Sequence, residues 1–391
     1  MYPQTSHAKG AAESAAPAPG KPSADTQPGS EGKTDESGGG LNRILQQVGR
    51  LTSQMSGQMN SAFTDIERIN NQTKMLALNA RIEAARAGTA GQAFAVAASE
   101  MGALANTTKQ TAKQLNTETR GVLDAIVHTV ESLGAEIRGT RLSDMAMTNI
   151  DVIDRNLYER SCDVRWWATD GSVVDALTQR TDAAFRFASQ RLGVILDSYT
   201  VYYDIVLCDL DGKVVANGRP ERYASQGTNQ RETEWFRAAL ACRDGTEFGF
   251  QSVHRNPTLA NGQFVLVYSC TVREGGNTRG PTLGVLGIVF NWESLAQTIV
   301  KNTQLSAEEK PFSRVCVVDG QGLVLADTDN RLLAETLPLP RREELFALKK
   351  GHLTAPWQGA PHIFAHAASP GYETYATGWH SIILQRLALR A

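Results

Sequence analysis

The sequence has few cysteines, no long apolar run and no excess of either charge. Its five cysteines never form a Cys-X-X-Cys pair, which argues against a zinc site or a disulfide framework and suits a reducing cytoplasm. The longest strongly apolar run, residues 284–290, has seven residues, whereas a membrane-spanning helix needs about 20. The 39 Lys and Arg against 41 Asp and Glu leave a net charge of −2, so we expect no basic surface for nucleic acid. We therefore expect a soluble, cytoplasmic chain of about two or three domains.

Residues 1–40 contain no Leu, Ile, Val, Phe or Trp, while Gly, Pro, Ser and Ala account for 24 of these 40 residues. Such a segment cannot bury enough apolar surface to offset the entropy that is lost on ordering. The composition therefore predicts a disordered tail over residues 1–40.

Proline is absent between residues 41 and 219, and the only aromatic residues between 41 and 150 are Phe63 and Phe94. Apolar residues recur there every seven positions, at Leu41, Val48, Met55, Ala62, Ile69 and Leu76. This spacing is typical of a coiled-coil helix, and a second apolar stripe follows the glycines at 88 and 91. The pattern predicts an antiparallel helical hairpin over 41–150 that turns near 86–91. Because so thin a hairpin has little interior, we expect two copies to form a dimeric four-helix bundle.

All six tryptophans and all but one of the tyrosines lie beyond residue 155. Short β-branched runs between turn residues predict strands at 204–207, 213–216, 264–268, 283–290, 314–318, 323–326 and 380–384. Residues 209–217 resemble residues 319–327, at an offset of 110, because each copy reads as a strand, a tight Asp/Gly turn and a returning strand. We therefore predict an α+β half: a connecting helical segment over 151–200 and two tandem antiparallel-sheet modules over 201–305 and 306–391.

The most specific pattern in the sequence lies at the predicted turn, where LALNA-X-IEAARAG at 76–88 is followed by FAVAA-X-E at 94–100. Over about residues 66–106 this pattern resembles the signalling tip of methyl-accepting chemotaxis proteins. In that family the tip docks a CheA-type histidine kinase and a CheW-type adaptor and assembles into trimers of dimers. The resemblance implies the same partners for this chain, acting as a homodimer or a trimer of dimers.

The resemblance also implies roles for individual residues of the tip. Three of them would contact other dimers in the trimer: Ile82, Glu83 and Arg86. Four would lie on or near the face that contacts the adaptor and the kinase: Leu76, Asn79, Val96 and Glu100. Taken alone, Glu83 and Arg86 would be interpreted as a solvent-exposed ion pair on a helix, which contributes little to stability. Only the surrounding motif favours a functional role.

Four residues of the tip depart from the pattern of the family. Lys74, Arg81, Gln92 and Ala93 stand where Asn, Ala, Arg and Gly are usual, so trimer packing or the choice of partner can differ. The sequence also has no stretch of paired Glu and Gln flanked by small residues, which makes adaptation by methylation doubtful.

In the C-terminal half, the strand-turn-strand repeat and the stretches 235–239, 267–269, 284–295 and 370–383 form a second pattern. This half resembles a double Cache sensor, the PAS-like domain of many chemoreceptors. The resemblance implies a small-molecule pocket in the first module, for which position in the sequence indicates Arg231, Trp235, Phe236, His254 and Tyr268. Trp235 and Phe236 could equally be ordinary core residues, and His254 a solvated loop residue. No cofactor is implied.

The residues around this pocket argue against an amino-acid ligand. The amine-binding branch of Cache sensors has an Arg two positions before a Trp-Tyr pair, and an Asp in the strand that ends the first module. Here Thr233 stands at the Arg position, Phe236 replaces the Tyr, and Val289 stands where the Asp is expected. The donors of Arg231, His254 and Tyr268 instead suit a carboxylate, a phosphate-bearing metabolite or a neutral polar ligand.

Two other classes of protein compete with a receptor. An enzyme has little support, because the sequence contains no P-loop, no Gly-X-Ser-X-Gly and no His-Glu-X-X-His pattern, and we expect neither catalysis nor a metal site. The alternative is a structural or adaptor coiled-coil protein that binds the chemotaxis array without ligand-controlled regulation of the kinase. A kinase assay distinguishes this alternative from a receptor.

Overall fold

The computed structural model describes residues 36–387. The disordered tail predicted over residues 1–40 therefore lies outside the described residues, except for residues 36–40, which begin the first helix. Helix α1 spans Glu36–Arg86 and helix α2 spans Gln92–Trp167, with a short 3-10 turn at Gly88–Gly91 between them. The apolar repeat starts only at Leu41, so the pattern carried no signal for the first helical turn.

The turn between the two helices requires glycine for two different reasons. Gly88 has a φ of 59°, a left-handed conformation that glycine adopts without a steric cost. A Cβ on Gly91 would collide with the carbonyl oxygen of Ala84, so glycine lets the chain pass close to α1. Farther along the hairpin, Arg120 donates to the side-chain oxygen of Asn60 at 2.6 Å, which shows that α2 returns alongside α1.

Helix α2 buries different faces in its two halves. In the first half its buried residues lie in the seam with α1 and include Ala98, Ala105 and Leu123. In the second half the buried residues recur every three or four positions and pack against the sheets: Leu142, Ala146, Ile150, Ile153 and Leu157. Over residues 36–387, no helix combines the length and the apolar character needed to cross a membrane.

The segment predicted as one connecting helix over 151–200 is divided in the structure. Helix α2 ends at Trp167, helix α3 spans Gly171–Gln179, and helix α4 spans Asp182–Ser198. The side chain of Asp170 caps α3 by accepting from the backbone N–H of Ser172 at 2.9 Å. Thr181 caps α4 in the same way. These capping residues start new helices and so break the predicted one.

Ten strands follow. Those of the first module are β1 Tyr202–Asp209, β2 Val214–Asn217, β3 Gly249–Asn256, β4 Gln263–Arg273 and β5 Thr282–Asn291. Those of the second module are β6 Ser313–Val318, β7 Val324–Asp327, β8 Lys350–Trp357, β9 Ala360–Ala368 and β10 His380–Arg386. They form two antiparallel sheets of matching strand order, β2-β1-β5-β4-β3 and β7-β6-β10-β9-β8.

Three short helices complete the modules. Helix α5 (Glu234–Ala241) packs on the first sheet, α6 (Trp292–Lys301) leads from β5 towards the second module, and α7 (Arg342–Ala347) packs on the second sheet. The seven predicted strands coincide with β1, β2, β4, β5, β6, β7 and β10. The other three lie outside the predicted runs, because β3 and β8 are partly exposed sheet edges and β9 is rich in alanine and histidine.

The offset of 110 residues extends beyond the repeated turn to a buried polar pair. In the first module, Asn217 on β2 donates to the carboxylate of Asp204 on β1 at 2.7 Å. In the second module the matching positions hold Arg314 on β6, which donates to Asp327 on β7 at 2.6 Å. Both pairs are largely buried and join the first two strands of their sheets. In both modules, therefore, a buried polar pair joins the first two strands at matching positions, although the side chains differ.

The second sheet carries a buried histidine pair beneath α7. His366 Nε2 lies 2.7 Å from His380 Nδ1, and the ring of Phe346 stacks on His380 with a centroid separation of 3.8 Å. Burial, and then the neighbouring His380 ring, lower the pKa of His366 to about 3. Burial also lowers the pKa of His380. Both rings are therefore neutral in the folded protein near pH 7.

We expect the second module to lose stability as the pH falls from about 6.5 towards 3. In this range the unfolded chain protonates His366 while the folded chain does not, so the free energy of unfolding rises with pH. Substituting His366→Gln should reduce the dependence of the unfolding free energy on pH by up to one proton relative to the wild type. Tryptophan fluorescence measures unfolding of the C-terminal half and not of the hairpin, because all six tryptophans lie beyond residue 155. An unchanged slope in His366→Gln would contradict the expectation.

Candidate functional site

The two faces of the first sheet have different contents. The face that we call the outer face carries Val206, Val267 and Val289, and α5 covers it. The opposite, inner face carries Leu207 and Tyr268 and packs towards α2, α3 and α4. Because successive residues of a strand point to opposite sides, each strand of this sheet connects the two faces directly.

Helix α5 places two of the predicted pocket residues on the outer face. Trp235 and Phe236 are both fully buried there. The indole of Trp235 lies over β5, where a Cβ on Gly287 would come within 2.9 Å of Trp235 Cζ3. Ser269, which pairs with Gly287 across β4 and β5, donates its hydroxyl to the carbonyl oxygen of Trp235 at 2.7 Å. The two small residues under α5 thus make room for the indole ring.

The outer face also holds buried polar atoms that lack a partner. Of the buried side-chain atoms without a hydrogen-bond partner among residues 36–387, three lie on this face: Trp235 Nε1, Asn217 Oδ1 and Gln251 Oε1. A further one, Ser225 Oγ, lies in the loop that follows β2. Asn217 pairs with Val206 on the β2 side of the face, and Gln251 pairs with Val267 on the β3 side. Leaving one buried group unsatisfied costs about 1–3 kcal/mol. A polar molecule on this face would therefore recover several unmade hydrogen bonds.

Sequence reasoning missed these polar residues. Ser225, Gln251 and Asn217 are single polar side chains in a loop and two strands, without a motif around them. Only strand register brings Asn217 and Gln251 to the same face as Trp235. No local signal could have selected them.

Asp204 is a buried carboxylate that sequence reasoning also missed. It pairs in register with Val289, the position at which an acid was expected and found lacking. Burial raises the pKa of Asp204 to about 6, although four hydrogen bonds oppose this shift. The donors are the side chain of Asn217 and the backbone N–H groups of Ile205, Gly218 and Arg219. Since Arg314 and Asp327 form the matching pair in the second module, the role of Asp204 is to join strands.

The other three predicted pocket residues lie in different places. His254 on β3 is half-buried on the outer face, where it pairs with Val265 and its Nδ1 lies 2.8 Å from the carbonyl oxygen of Ser252. Burial lowers the pKa of His254. Arg231 is exposed at the edge of the module, with Asp211 as a distant ion-pair partner at 3.8 Å. Tyr268 is fully buried on the inner face. The five residues thus do not form one cluster, and Trp235, Phe236 and His254 alone share the outer face.

The tip of the hairpin presents all seven of its predicted contact residues to solvent. Arg86 and Glu83 form an exposed ion pair at 2.8 Å. The remaining five are exposed along the same two helices: Leu76, Asn79, Ile82, Val96 and Glu100. Ala77, Ala84 and Ala98 are buried in the seam between the helices. The arrangement leaves the predicted contact residues free to meet a second molecule.

An open groove lies beside the outer face, and Tyr203, which packs against the outer-face cluster, is one of its lining residues. It has a volume of about 550 Å³ and runs along α6, with polar side chains such as Glu293, Gln297 and Lys301 in its walls. None of the five predicted pocket residues lines this groove. The outer face is closed beneath α5, so a ligand can enter there only if α5 or the segment before it moves.

Two protein families match the sequence. The methyl-accepting chemotaxis protein (MCP) signalling domain matches residues 24–154, and the Cache domain matches residues 95–388. The matches overlap over 95–154, which lies within α2. Comparison with curated proteins found no match.

Several solved structures of sensor domains are similar to this chain at low sequence identity. The ligand-binding domain of the Pseudomonas fluorescens chemoreceptor CtaA, in complex with L-alanine, is 16% identical with a TM-score of 0.44, over 63% of this chain and 96% of that one. The sensor domain of the V. cholerae histidine kinase DctB is 14% identical with a TM-score of 0.45, over 64% and 98%. The sensory domain of the Campylobacter jejuni chemoreceptor Tlp3 (CcmL) is 15% identical with a TM-score of 0.48, over 64% and 94%.

Proposed function

We propose that this chain, which belongs to the Cache domain family and carries a methyl-accepting chemotaxis protein signalling domain, is a chemoreceptor-type signal transducer. It senses a small ligand with its sheet modules and controls a CheA-type histidine kinase through a CheW-type adaptor at the hairpin tip. The observation that carries this proposal is the sharing of α2, since residues 95–154 belong to both family matches. The helix runs unbroken from the tip to the sheets, so a change at the sheets acts directly on it.

The proposed division of labour follows the order of the chain. Residues 41–150 signal, 151–200 connect, 201–305 sense the ligand, and 306–391 link the sensing module to the helix. We also propose a cytoplasmic location, because the kinase and adaptor of chemoreceptor arrays act in the cytoplasm and α2 joins the tip to the sensor directly.

A dimer is part of the proposal, because the hairpin leaves an apolar stripe uncovered. Among the described residues, large apolar side chains are exposed along both helices, and they include Leu51, Met55, Ile69, Val122, Ile126 and Leu133. Contiguous exposed apolar surface of this kind marks an interaction site. A second hairpin would cover the stripe and complete a four-helix bundle.

The outer face of the first module is the proposed ligand site, with Trp235, Phe236 and His254 as contact residues. The unpartnered atoms of Trp235, Asn217, Gln251 and Ser225 in the first module belong to neutral groups, and the buried acid Asp204 on this face already accepts four hydrogen bonds. A neutral polar ligand fits this chemistry better than an ammonium or a carboxylate, because it leaves no buried charge unpaired. Arg231 would contribute only if the edge of the module closed over the ligand.

We expect the double variant Ile126→Asp/Leu133→Asp to be monomeric at micromolar concentration, where the wild type is dimeric. Each aspartate would place a charge in an apolar seam between two hairpins, which opposes association. Analytical ultracentrifugation of the full chain measures the mass directly. The matched control is Ser132→Asp, one position away at an exposed site, which should remain dimeric. A double variant that stays dimeric would place the interface elsewhere.

The kinase link is tested by reconstituting the full chain with a CheA-type kinase and a CheW-type adaptor. We expect Arg86→Ala to abolish control of the kinase without changing the melting temperature, because exposed ion pairs contribute little to stability. Arg68→Ala is a matched control, since Arg68 forms a similar exposed pair with Asp65 on the same helix. Equal kinase control by both variants would refute the tip assignment. A wild-type chain without any effect on the kinase would favour the structural adaptor.

Two buried serines of the first module test the ligand site. Without ligand, Ser225→Ala should be neutral or stabilising because it removes a hydroxyl that lacks a partner in the described chain, whereas Ser269→Ala should cost about 1 kcal/mol because its hydroxyl is bonded to Trp235. Thermal-shift screening of the full chain against neutral and charged metabolites should then find stabilisation by a neutral compound that Ser225→Ala weakens. Stabilisation by charged compounds alone, or equal destabilisation by both substitutions, would exclude the site as described.

A further inference from the structure

The loop between β9 and β10, residues 369–379, reaches out of the second module and touches both α2 and the first module. We call this loop the strap. It is a tight turn held by reciprocal backbone hydrogen bonds between Tyr372 and Tyr375, at 2.7 and 2.9 Å. Its two ends are joined by a bond from Ser369 N–H to the carbonyl oxygen of Trp379 at 2.8 Å. These bonds make the strap a compact unit rather than an open loop.

Asp154 of α2 anchors the base of the strap. This carboxylate is fully buried and accepts from the hydroxyls of Ser369 and Thr377, at 2.5 and 2.8 Å. It also accepts from the backbone N–H groups of Gly371 and Thr377. A buried carboxylate needs such donors, because its desolvation is otherwise costly. The position of the strap is therefore tied to the position of α2.

The tip of the strap enters the inner face of the first module. The hydroxyls of Tyr375 and Tyr268 lie 2.5 Å apart in a buried contact. The ring of Tyr375 also lies 6.1 Å from that of Phe248, on the inner side of the same sheet. Tyr268, which its position in the sequence suggested as a ligand contact, thus meets the strap together with Phe248.

One strand connects this contact to the proposed ligand site. Tyr268 points to the inner face, and the next residue, Ser269, points to the outer face and is bonded to Trp235. A displacement of β4 at the outer face therefore moves Tyr268 at the inner face. From there the connection runs through the hydroxyl contact with Tyr375, the covalent side chain of Tyr375 and its backbone bonds to Tyr372, and the Gly371 N–H that bonds to Asp154.

We propose that the strap couples the first module to α2, with Tyr268, Tyr375 and Asp154 as its essential contacts. Coupling of this kind requires an element whose position both sites influence, and the strap is bonded at both ends. The coupling itself is a property of the ligand-free chain; its use in signalling rests on the proposed function. The strap then delivers the state of the ligand module to α2 at Asp154, beyond the hairpin region.

A double-mutant cycle on the ligand-free full chain tests the coupling. Tyr268→Phe removes the contact at the tip of the strap, and Thr377→Val removes a donor to Asp154 at its base while keeping the shape of the side chain. Because the two side chains do not touch, independent effects on the unfolding constant should multiply to within about twofold. We expect the combined effect of the two changes on the unfolding constant to be smaller than that product by roughly fivefold or more, because either change alone already loosens the strap.

Tyr203→Phe is the matched control, because Tyr203 lies in the same module and packs on Tyr223 rather than on the strap. Its combination with Thr377→Val should be multiplicative. Amide hydrogen exchange supplies a second measurement: Tyr268→Phe should speed exchange at Gly371 and Thr377, whose N–H groups bond to Asp154, and Tyr203→Phe should not.

A multiplicative Tyr268/Thr377 cycle, or unchanged exchange at those two amides, would overturn the coupling whether or not the chain regulates a kinase. A coupled cycle in a chain that fails to regulate the kinase would retain the coupling and reject the proposed function. If Thr377→Val does not fold, Ser369→Ala replaces it, because it removes the other hydroxyl that binds Asp154.

Discussion

One helix, α2, has to be buried on two different sides, and the rest of the structure depends on how it meets that constraint. As far as Leu123 its buried residues face a single neighbouring helix, whereas from Leu142 they face the sheets. The change occurs where β8 approaches. A side chain larger than hydrogen at Gly139 would collide with the ring of His352, and Ser143 donates to the carbonyl oxygen of Gly351 at 2.7 Å. Small residues therefore let β8 approach the helix closely where the helix passes from one partner to the other.

The two modules show how one fold fills its interior with different side chains. In the first module the large indole of Trp235 lies over Gly287. In the second, Leu345 stands 110 residues after Trp235, and strand register puts Ile382 in the place of Gly287. The first module thus packs a large residue over a small one, and the second has two residues of medium size at the matching positions. This exchange conserves the packed volume. Trp235, with its unsatisfied indole N–H, therefore has no tryptophan counterpart at the matching position of the second module. This difference suits the proposed division between a sensing and a linking module.

The strands show why some elements were predictable and others were not. Strands with β-branched runs, such as β5 and β6, are buried in the sheets and carry a clear apolar signal. The edge strands β3 and β8 are partly exposed, so their apolar pattern is weak. The positions of the candidate ligand residues in the fold could not be predicted for a related reason. Tyr268 has the sequence pattern of a buried strand residue, but a one-residue difference in strand position sends a side chain to the opposite face, as the neighbouring Ser269 shows.

The sequence by itself determined the helical hairpin, its glycine turn, the chemoreceptor-like motif at its tip and the presence of two repeated sheet modules. Each of these depends on residues that are neighbours along the chain or stand in a regular repeat, so the physical signal is local. Only the tertiary structure decided that Asp154 binds Thr377 and that Tyr268 meets Tyr375, contacts between residues more than 100 positions apart. Such contacts depend on strand register and on how α2 lies against both sheets, and no short stretch of sequence contains that information.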